Sequence, residues 1–503
     1  MTISPAAHHS QDRLGAGRLG VAASHRNYKW WALSCTSLGM LLAATNSGTL
    51  IIALPDLERS LHTSLLALVW VILAYLIAAT VLVLMAGRLS DLFGRKRAYV
   101  GGFLAFALAS LGAGFSPDAT VLILWRILQG IASAFLFANA AALVTDAFPK
   151  AQLGLAMGAN TMVAAVGLVL GPVLGGALVT ISWHWVFWFN VPLALAGALW
   201  GALILRELAK PDVVRGYDVL GTSAFVLGLT GLVLGVSRGG LSGWKDPIVL
   251  GGLAAALVLL PAWVLIERRS RAPMLDLQIF QNRLFAAATA AAFINGLARF
   301  ALMFLFVFYF QGAQANTPIQ AGIKLMPLAV GMLVASPLAG IYADRHGSRA
   351  LAALGMFVSA VGLAAMTTLA VHTPYWQSGL WLLIVGAGSG MFNSPNTAAM
   401  MGAVPAHRRG IAAGARTLLQ NTGAVLSIAF VLAIVTSAVP KTTLFAVFSG
   451  LTKGLSAEKL APFIANMHVA LWALAATSLL GTAVCLLRPR HVAVVQSAPA
   501  PAR

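Results

Sequence analysis

Two arginines lie where an arginine is hard to accommodate. Arg126 stands about eight residues into one long apolar run and Arg299 about fifteen residues into another. A guanidinium at the centre of a spanning helix costs roughly 2.5 to 3.5 kcal/mol unless it meets water or a partner. Arg126 is therefore expected to border a hydrated cavity. Snorkelling to the surface is the alternative, and a depth of about 12 Å is near the limit of the side chain's reach. Arg299 can reach a similar depth and share that cavity, or it can pair with a carbonyl or hydroxyl and act only in structure. Gln129, Asn46 and Asn139 are candidate polar wall residues, and Trp70, Tyr75 and Phe300 candidate aromatic ones. Each of these also suits plain helix packing. Two guanidinium groups without countercharge would favour neutral or anionic amphiphiles and repel lipophilic cations.

Proton chemistry is harder to place. The chain has fourteen acidic residues, and none falls deep in an apolar run. Asp56, Asp146 and Asp218 stand at the ends of such runs, and no histidine lies deep either. Phosphate-cradling loops, paired catalytic carboxylates and the H-E-x-x-H pattern are absent from the sequence, so neither ATP hydrolysis nor enzymatic work is supported. Cys35 and Cys485 are too far apart for metal-ligand spacing and suggest no disulfide framework. No cofactor or metal is expected, so energy would come from an ion or substrate gradient.

The elements that must hold these residues follow from composition. Of 503 residues, 59% are hydrophobic and 9% charged, too little polar surface for water-soluble domains of this length. A helix crosses hydrocarbon in about 20 residues, and stretches of that length number fourteen between Trp30 and Leu487. With the N-terminus in the cytoplasm, cytoplasmic segments hold 23 of the 33 Lys and Arg, external segments 6 and the spans 4. That bias predicts a multi-pass protein of the cell inner membrane with both termini cytoplasmic. The net charge of +19 sits in short clusters between apolar runs rather than along one face, which argues against nucleic acid. Residues 1–29 and 489–503 read as disordered tails without a cleavable signal.

Two segments repeat a pattern. Gly87, Asp91 and Gly94, followed by Arg95 and Arg97, come after the second span. Gly340, Asp344 and Gly347, followed by Arg349, come 253 residues later, after the tenth. Both read G-x-x-x-D-x-x-G. They are expected as cytoplasmic loops forming a latch, or as loops that only fix topology. Six spans per half with two inserted between account for the spacing and the count. The expected organisation is a six-helix bundle over 30–205, a two-helix linker over 206–283 and a second bundle over 284–488. In the fifth span Gly167, Gly171, Pro172, Gly175 and Gly176 form a groove for close packing and a site for bending.

These motifs, with R-x-x-Q-G at Arg126 to Gly130 and the aromatic run from Trp183 to Pro192, resemble the major facilitator superfamily, specifically its fourteen-span drug:proton antiporters for multidrug efflux. The resemblance covers roughly residues 30 to 488. It implies an all-helical fold of two six-helix bundles plus two inserted helices. It further implies export of small amphiphilic compounds by alternating access, coupled to protons. A facilitator or importer of a neutral or anionic solute is the alternative. The working unit is expected to be a monomer in the lipid bilayer. Family members commonly carry an acid in the first span just before Ala-Leu-Pro, where this chain has Asn46. An amide cannot titrate, and Asp56 or Asp146 are the candidate substitutes.

Overall fold

The computed structural model describes residues 27–148, 153–207, 218–270, 277–404, 409–437 and 457–489, with 273, 275, 439, 440, 443 and 447. The expected tails therefore lie almost wholly outside the described residues. Among the described residues there are helices and no strands. In lipid no water replaces a lost backbone hydrogen bond, so apolar runs of this length have little choice but to coil.

Seven helices make the first half: α1 (Tyr28–Leu61), α2 (Leu65–Phe93), α3 (Arg95–Gly114), α4 (Ala119–Ala147), α5 (Leu153–Ile181), α6 (Trp185–Trp188) and α7 (Asn190–Ile204). A hairpin of α8 (Val219–Ser242) and α9 (Pro247–Arg269) follows. Then come α10 (Arg283–Val307), α11 (Pro318–His346), α12 (Ser348–Ala365), α13 (Tyr375–Gly402), α14 (Arg409–Thr436) and α15 (Ala457–Leu486). Polar residues at the interfaces start them: Asp118 accepts from the Val121 N–H at 2.9 Å, and Thr317 with Gln320 forms a capping box before α11.

Twelve spans are long and apolar enough to cross a bilayer among the described residues, with α6 and α7 counting as one. The remaining two expected spans fall on α5 and α13. Within α5 only Leu170–Ile181 registers, as a shorter apolar helix, and α13 is diluted by Ser389, Asn393, Ser394 and Asn396. Several helices outrun their apolar stretches. α1 continues past Pro55 to Leu61 and α2 to Phe93, because helical hydrogen bonding continues into the interface wherever nothing breaks it.

That extension revises the two repeated motifs. They are not loops: Gly87 to Phe93 is the last part of α2, and Gly340 to His346 the last part of α11. Only one residue breaks each helix. Gly94 has φ 98° and ψ 132°, Gly347 has φ 87° and ψ 157°, a region open to glycine and strained for other residues. Each caps its helix, the Gly94 N–H donating to the Ser90 carbonyl at 2.9 Å and the Gly347 N–H to Ala343 at 2.8 Å. The duplicated sequence thus produces a duplicated backbone corner.

Packing falls into two sets. α1 packs on α4, α5 and α7, α4 on α2 and α3, and α3 on α7. In the other set α13 packs on α11 and α12, α10 on α14, and α15 on α10 and α12. The sets meet chiefly where α5 lies on α11 and α2 on α14, while α8 rests on α14 and α2. Because lipid tails are as apolar as leucine, such contacts depend on close approach at small residues. A Cβ on Gly171 would come within 2.9 Å of the Gly48 Cα in α1. One on Gly176 would come within 2.7 Å of the Pro318 carbonyl and the Ile319 Cα in α11.

Candidate functional site: a cavity between two sets of helices

Residues of seven long helices wall a cavity at the meeting of the two sets. Its space, including the part open to solvent, is ≈ 890 Å³. α1 gives Ser47, Leu50 and Ile51, α2 gives Ile72, Tyr75 and Leu76, and α4 gives Arg126. From the other set come Arg299, Phe300 and Met303 of α10, four residues of α11 between Leu325 and Met332, Gly386 and Ser389 of α13, and Ile428 of α14. Aliphatic and aromatic surface dominates, and two guanidinium groups supply the charge.

The two arginines differ in what holds them. Arg126 is 1% exposed. Its Nε donates to the Val71 carbonyl at 3.0 Å, one terminal nitrogen donates to Gln129 Oε1, and its carbon stands 4.2 Å from the centre of the Tyr75 ring. Gln129 passes the connection on, its amide donating to Ser110 at 2.7 Å and to Asn46 Oδ1 at 3.4 Å. Asn190 donates to the same Asn46 oxygen at 3.4 Å, and Ser133 donates to the Tyr75 hydroxyl at 3.0 Å. One polar cluster therefore ties α1, α2, α3, α4 and α7 together. Arg299 has no such support among the described residues: its Nε is buried without a hydrogen-bond partner, and its guanidinium carbon stands 4.8 Å from the centre of the Phe300 ring.

The sequence profile of the Major Facilitator Superfamily matches residues 36–428, and a second match covers 288–502. This chain belongs to the Major Facilitator Superfamily. It is a transporter and not an enzyme. Among its relatives, the tetracenomycin C resistance and export protein of Streptomyces glaucescens is 29% identical over 81% of this chain and 76% of its own. The puromycin resistance protein of Streptomyces alboniger is 32% identical over 82% of each. The solved structure of the human organic anion transporter MFSD10 shares the fold, with a TM-score of 0.61 and 15% identity over 91% of this chain and 99% of that one.

Set in the superfamily fold, the expected residues sort as follows. Arg126, Tyr75, Arg299 and Phe300 border the cavity. Asn46 and Gln129 lie behind the wall, committed to the cluster that holds Arg126. Asn139 is farther along α4, donating to Ser90 and to the Phe135 carbonyl, both at 2.7 Å. Trp70 packs against the main apolar core rather than the cavity.

The latch residues also part company. Arg95 forms an ion pair with Asp146 at 2.7 Å, joining α3 to the end of α4 where the helix dipole favours a cation. Glu207 accepts from the N–H groups of Arg95 at 2.8 Å and Lys96 at 3.1 Å. All these contacts lie within one helix set and do not bridge to the other. Arg97 is exposed and Arg349 half-buried, and the side chains of Asp91 and Asp344 lie outside the described residues. On α5, Gly167, Gly171 and Gly175 face α1, while Gly176 and Pro172 meet α11 at Pro318, Ile319 and Gly322.

Glu58 and Arg488 are among the buried charges that went unread in the sequence. Glu58, in the last turn of α1, is 3% exposed with Oε2 unpartnered. It lies beyond the apolar run, and only the heavily buried surroundings reveal it. Arg488, just past α15, is 1% exposed and donates to Asn396 Oδ1 at 2.5 Å and to the Cys485 sulfur at 3.2 Å. Its position at the end of the last apolar run gave no signal beyond that of any flanking arginine.

Proposed function

We propose that the protein is a secondary exporter of small amphiphilic compounds that works by alternating access. The observation that carries this reading is the largely apolar cavity at the junction of two helix sets, with Arg126 fixed in its wall. The names of the relatives, resistance and export proteins for antibiotics, point the same way. Rocking of a bundle over 30–205 against one over 284–488 opens the cavity to each side in turn. The glycine-lined contact of α5 with α11 and the contact of α2 with α14 are the seams that open. Residues 206–283 form the linker. Fourteen spans are the count that this reading requires, α5 and α13 being 29 and 28 residues long, with both termini on the cytoplasmic side of the inner membrane. The working unit is a monomer.

Proton coupling is assigned to Glu58. Asp56 and Asp146 are occupied, paired with Arg59 at 2.5 Å and Arg95 at 2.7 Å. Of the three acids buried among the described side chains, Asp218 accepts from the Gly221 N–H at 2.8 Å. Glu267 accepts from the Trp263 ring and the Leu275 N–H, both at 3.2 Å. Among the described residues no hydrogen bond reaches Glu58, which leaves its carboxyl uncommitted. A facilitator without proton coupling is the second reading, favoured by the amide at Asn46.

The deciding measurement is uptake of a fluorescent amphiphile into everted vesicles with an imposed proton gradient. Exporters accumulate the probe and lose it when a protonophore collapses the gradient. Equilibration unaffected by the protonophore would replace the exporter reading with the facilitator.

A further inference from the structure

We infer that Arg299 is the anion-binding residue of the cavity and that the preferred substrates are amphiphilic organic acids with one carboxylate or sulfonate on an apolar body. This deepens the export reading and rests on it only for direction of movement. Charge alone does not distinguish the two arginines of the wall, but their partners do. Arg126 has given donors on two nitrogens to Val71 and Gln129, and its guanidinium carbon lies 4.2 Å from the centre of the Tyr75 ring. Arg299 has its guanidinium carbon 4.8 Å from the centre of the Phe300 ring, and no acceptor among the described residues takes its N–H groups.

A guanidinium has two separate modes of contact. Stacking uses the face of the plane, while hydrogen bonds leave from its edge. With no acceptor on it among the described residues, the N–H edge of Arg299 is left to a carboxylate or sulfonate, which can accept two parallel N–H groups. A buried cation without acceptors is costly, and a bound anion relieves that cost.

The remainder of the wall defines the rest of the ligand. Leu50, Ile51, Met303, Leu325 and Met332 offer aliphatic surface, and no carboxylate is among the lining residues. A lipophilic cation would bring a charge toward two guanidiniums with nothing to neutralise it. A second anionic group would find no second free guanidinium in the wall, since Arg416, whose Nε is also unpartnered, is not a lining residue. One charge on an apolar body is therefore the matching chemistry.

Three probes with one aromatic body test this: 2-naphthoate, 2-naphthamide and 2-naphthyltrimethylammonium. Their binding to the purified full-length protein is measured by titration calorimetry. The naphthoate is expected to bind at least about tenfold more tightly than the amide, the scale of a charge-assisted hydrogen bond, and the ammonium more weakly than the amide. Arg299→Gln should bring naphthoate down to the level of naphthamide without weakening naphthamide itself, and Arg299→Lys should keep part of the difference. Equal affinity for acid and amide in the unaltered protein, failure of the acid to bind, or a preference that survives Arg299→Gln would each overturn the inference. If Arg299→Gln does not fold, the probe series on the unaltered protein and on Arg299→Lys decides. An acid preference in binding, with no gradient-driven movement in vesicles, upholds the site and rejects the exporter reading.

Discussion

Adding a single methyl group at Gly176 should change which side of the protein is open. The Cβ of Gly176→Ala would fall 2.7 Å from the Pro318 carbonyl oxygen and from the Ile319 Cα. Ordinary carbon contacts begin at about 3.5 Å, so α5 and α11 must part by about 0.8 Å there. Both obstacles are backbone, which cannot turn aside as a side chain could. Overpacking of this kind typically costs about 1 to 3 kcal/mol. The helix-propensity gain of alanine over glycine, about 1 kcal/mol, applies in every conformer and cancels from their ratio. The closed seam should thus lose population by roughly 5- to 150-fold relative to conformers in which α5 and α11 separate at this end. Ser389→Cys places a thiol in the cavity wall, and the native Cys35 and Cys485 are fully buried. A membrane-impermeant maleimide applied from the side where α5 ends and α11 begins should then label Cys faster when Gly176→Ala is added. Gly167→Ala is the control, since its Cβ meets Ala44 at 2.7 Å within one helix set. It should lower the melting temperature without changing the sidedness. Labelling within twofold of the parent in Gly176→Ala would refute the claim that this contact is a moving seam.

Removing the acceptor-bound guanidinium in Arg126→Gln should destabilise the protein by about 1 to 3 kcal/mol, because the Val71 carbonyl and Gln129 lose a charged donor; thermal unfolding in detergent measures it. Glu58→Gln should retain substrate binding but abolish dependence on the proton gradient in vesicles, and undiminished gradient dependence would move coupling elsewhere. Gly94→Ala, at φ 98° with its Cβ 2.9 Å from the Glu207 carboxyl carbon, should cost about 1 to 3 kcal/mol of stability, read as a lower melting temperature. The Arg95–Asp146 pair is about one-quarter exposed on both sides, so a double-mutant cycle should return a coupling of about 1 kcal/mol or less; a much larger value would mark it as more than a surface tie.

Hydropathy placed the helices well because lipid solvation leaves a long apolar run one conformation. The same signal misjudged their ends, since the polar turns from Asp56 to Leu61 and from Gly87 to Phe93 remain helical without being apolar. A repeated G-x-x-x-D-x-x-G identified both backbone corners but mistook helix for loop, because only the final glycine leaves the helical region. Arg126 was legible as a cavity residue from its depth alone. What holds it was not, because Val71, Gln129, Asn46 and Asn190 converge from separate helices and no spacing encodes that meeting. One partner of Arg95 was equally hidden: Asp146, 51 positions away, is a carboxylate that packing brings to it. Glu58 and Arg488 were unreadable for a common reason. Both lie beyond the edge of an apolar run, where sequence alone suggests water and only packing excludes it.

The α8–α9 hairpin makes the molecule lopsided. Phe225, Leu229, Val233 and Val236 of α8 are buried in the core shared with both helix sets, beside the junction of α2 and α14, while α9 turns Leu257 and Val258 outward. A compound dissolved in the bilayer and drifting in its plane therefore finds one flank shuttered by two extra helices. Under the export reading proposed above, the seam of α5 and α11 is the one these two helices leave uncovered.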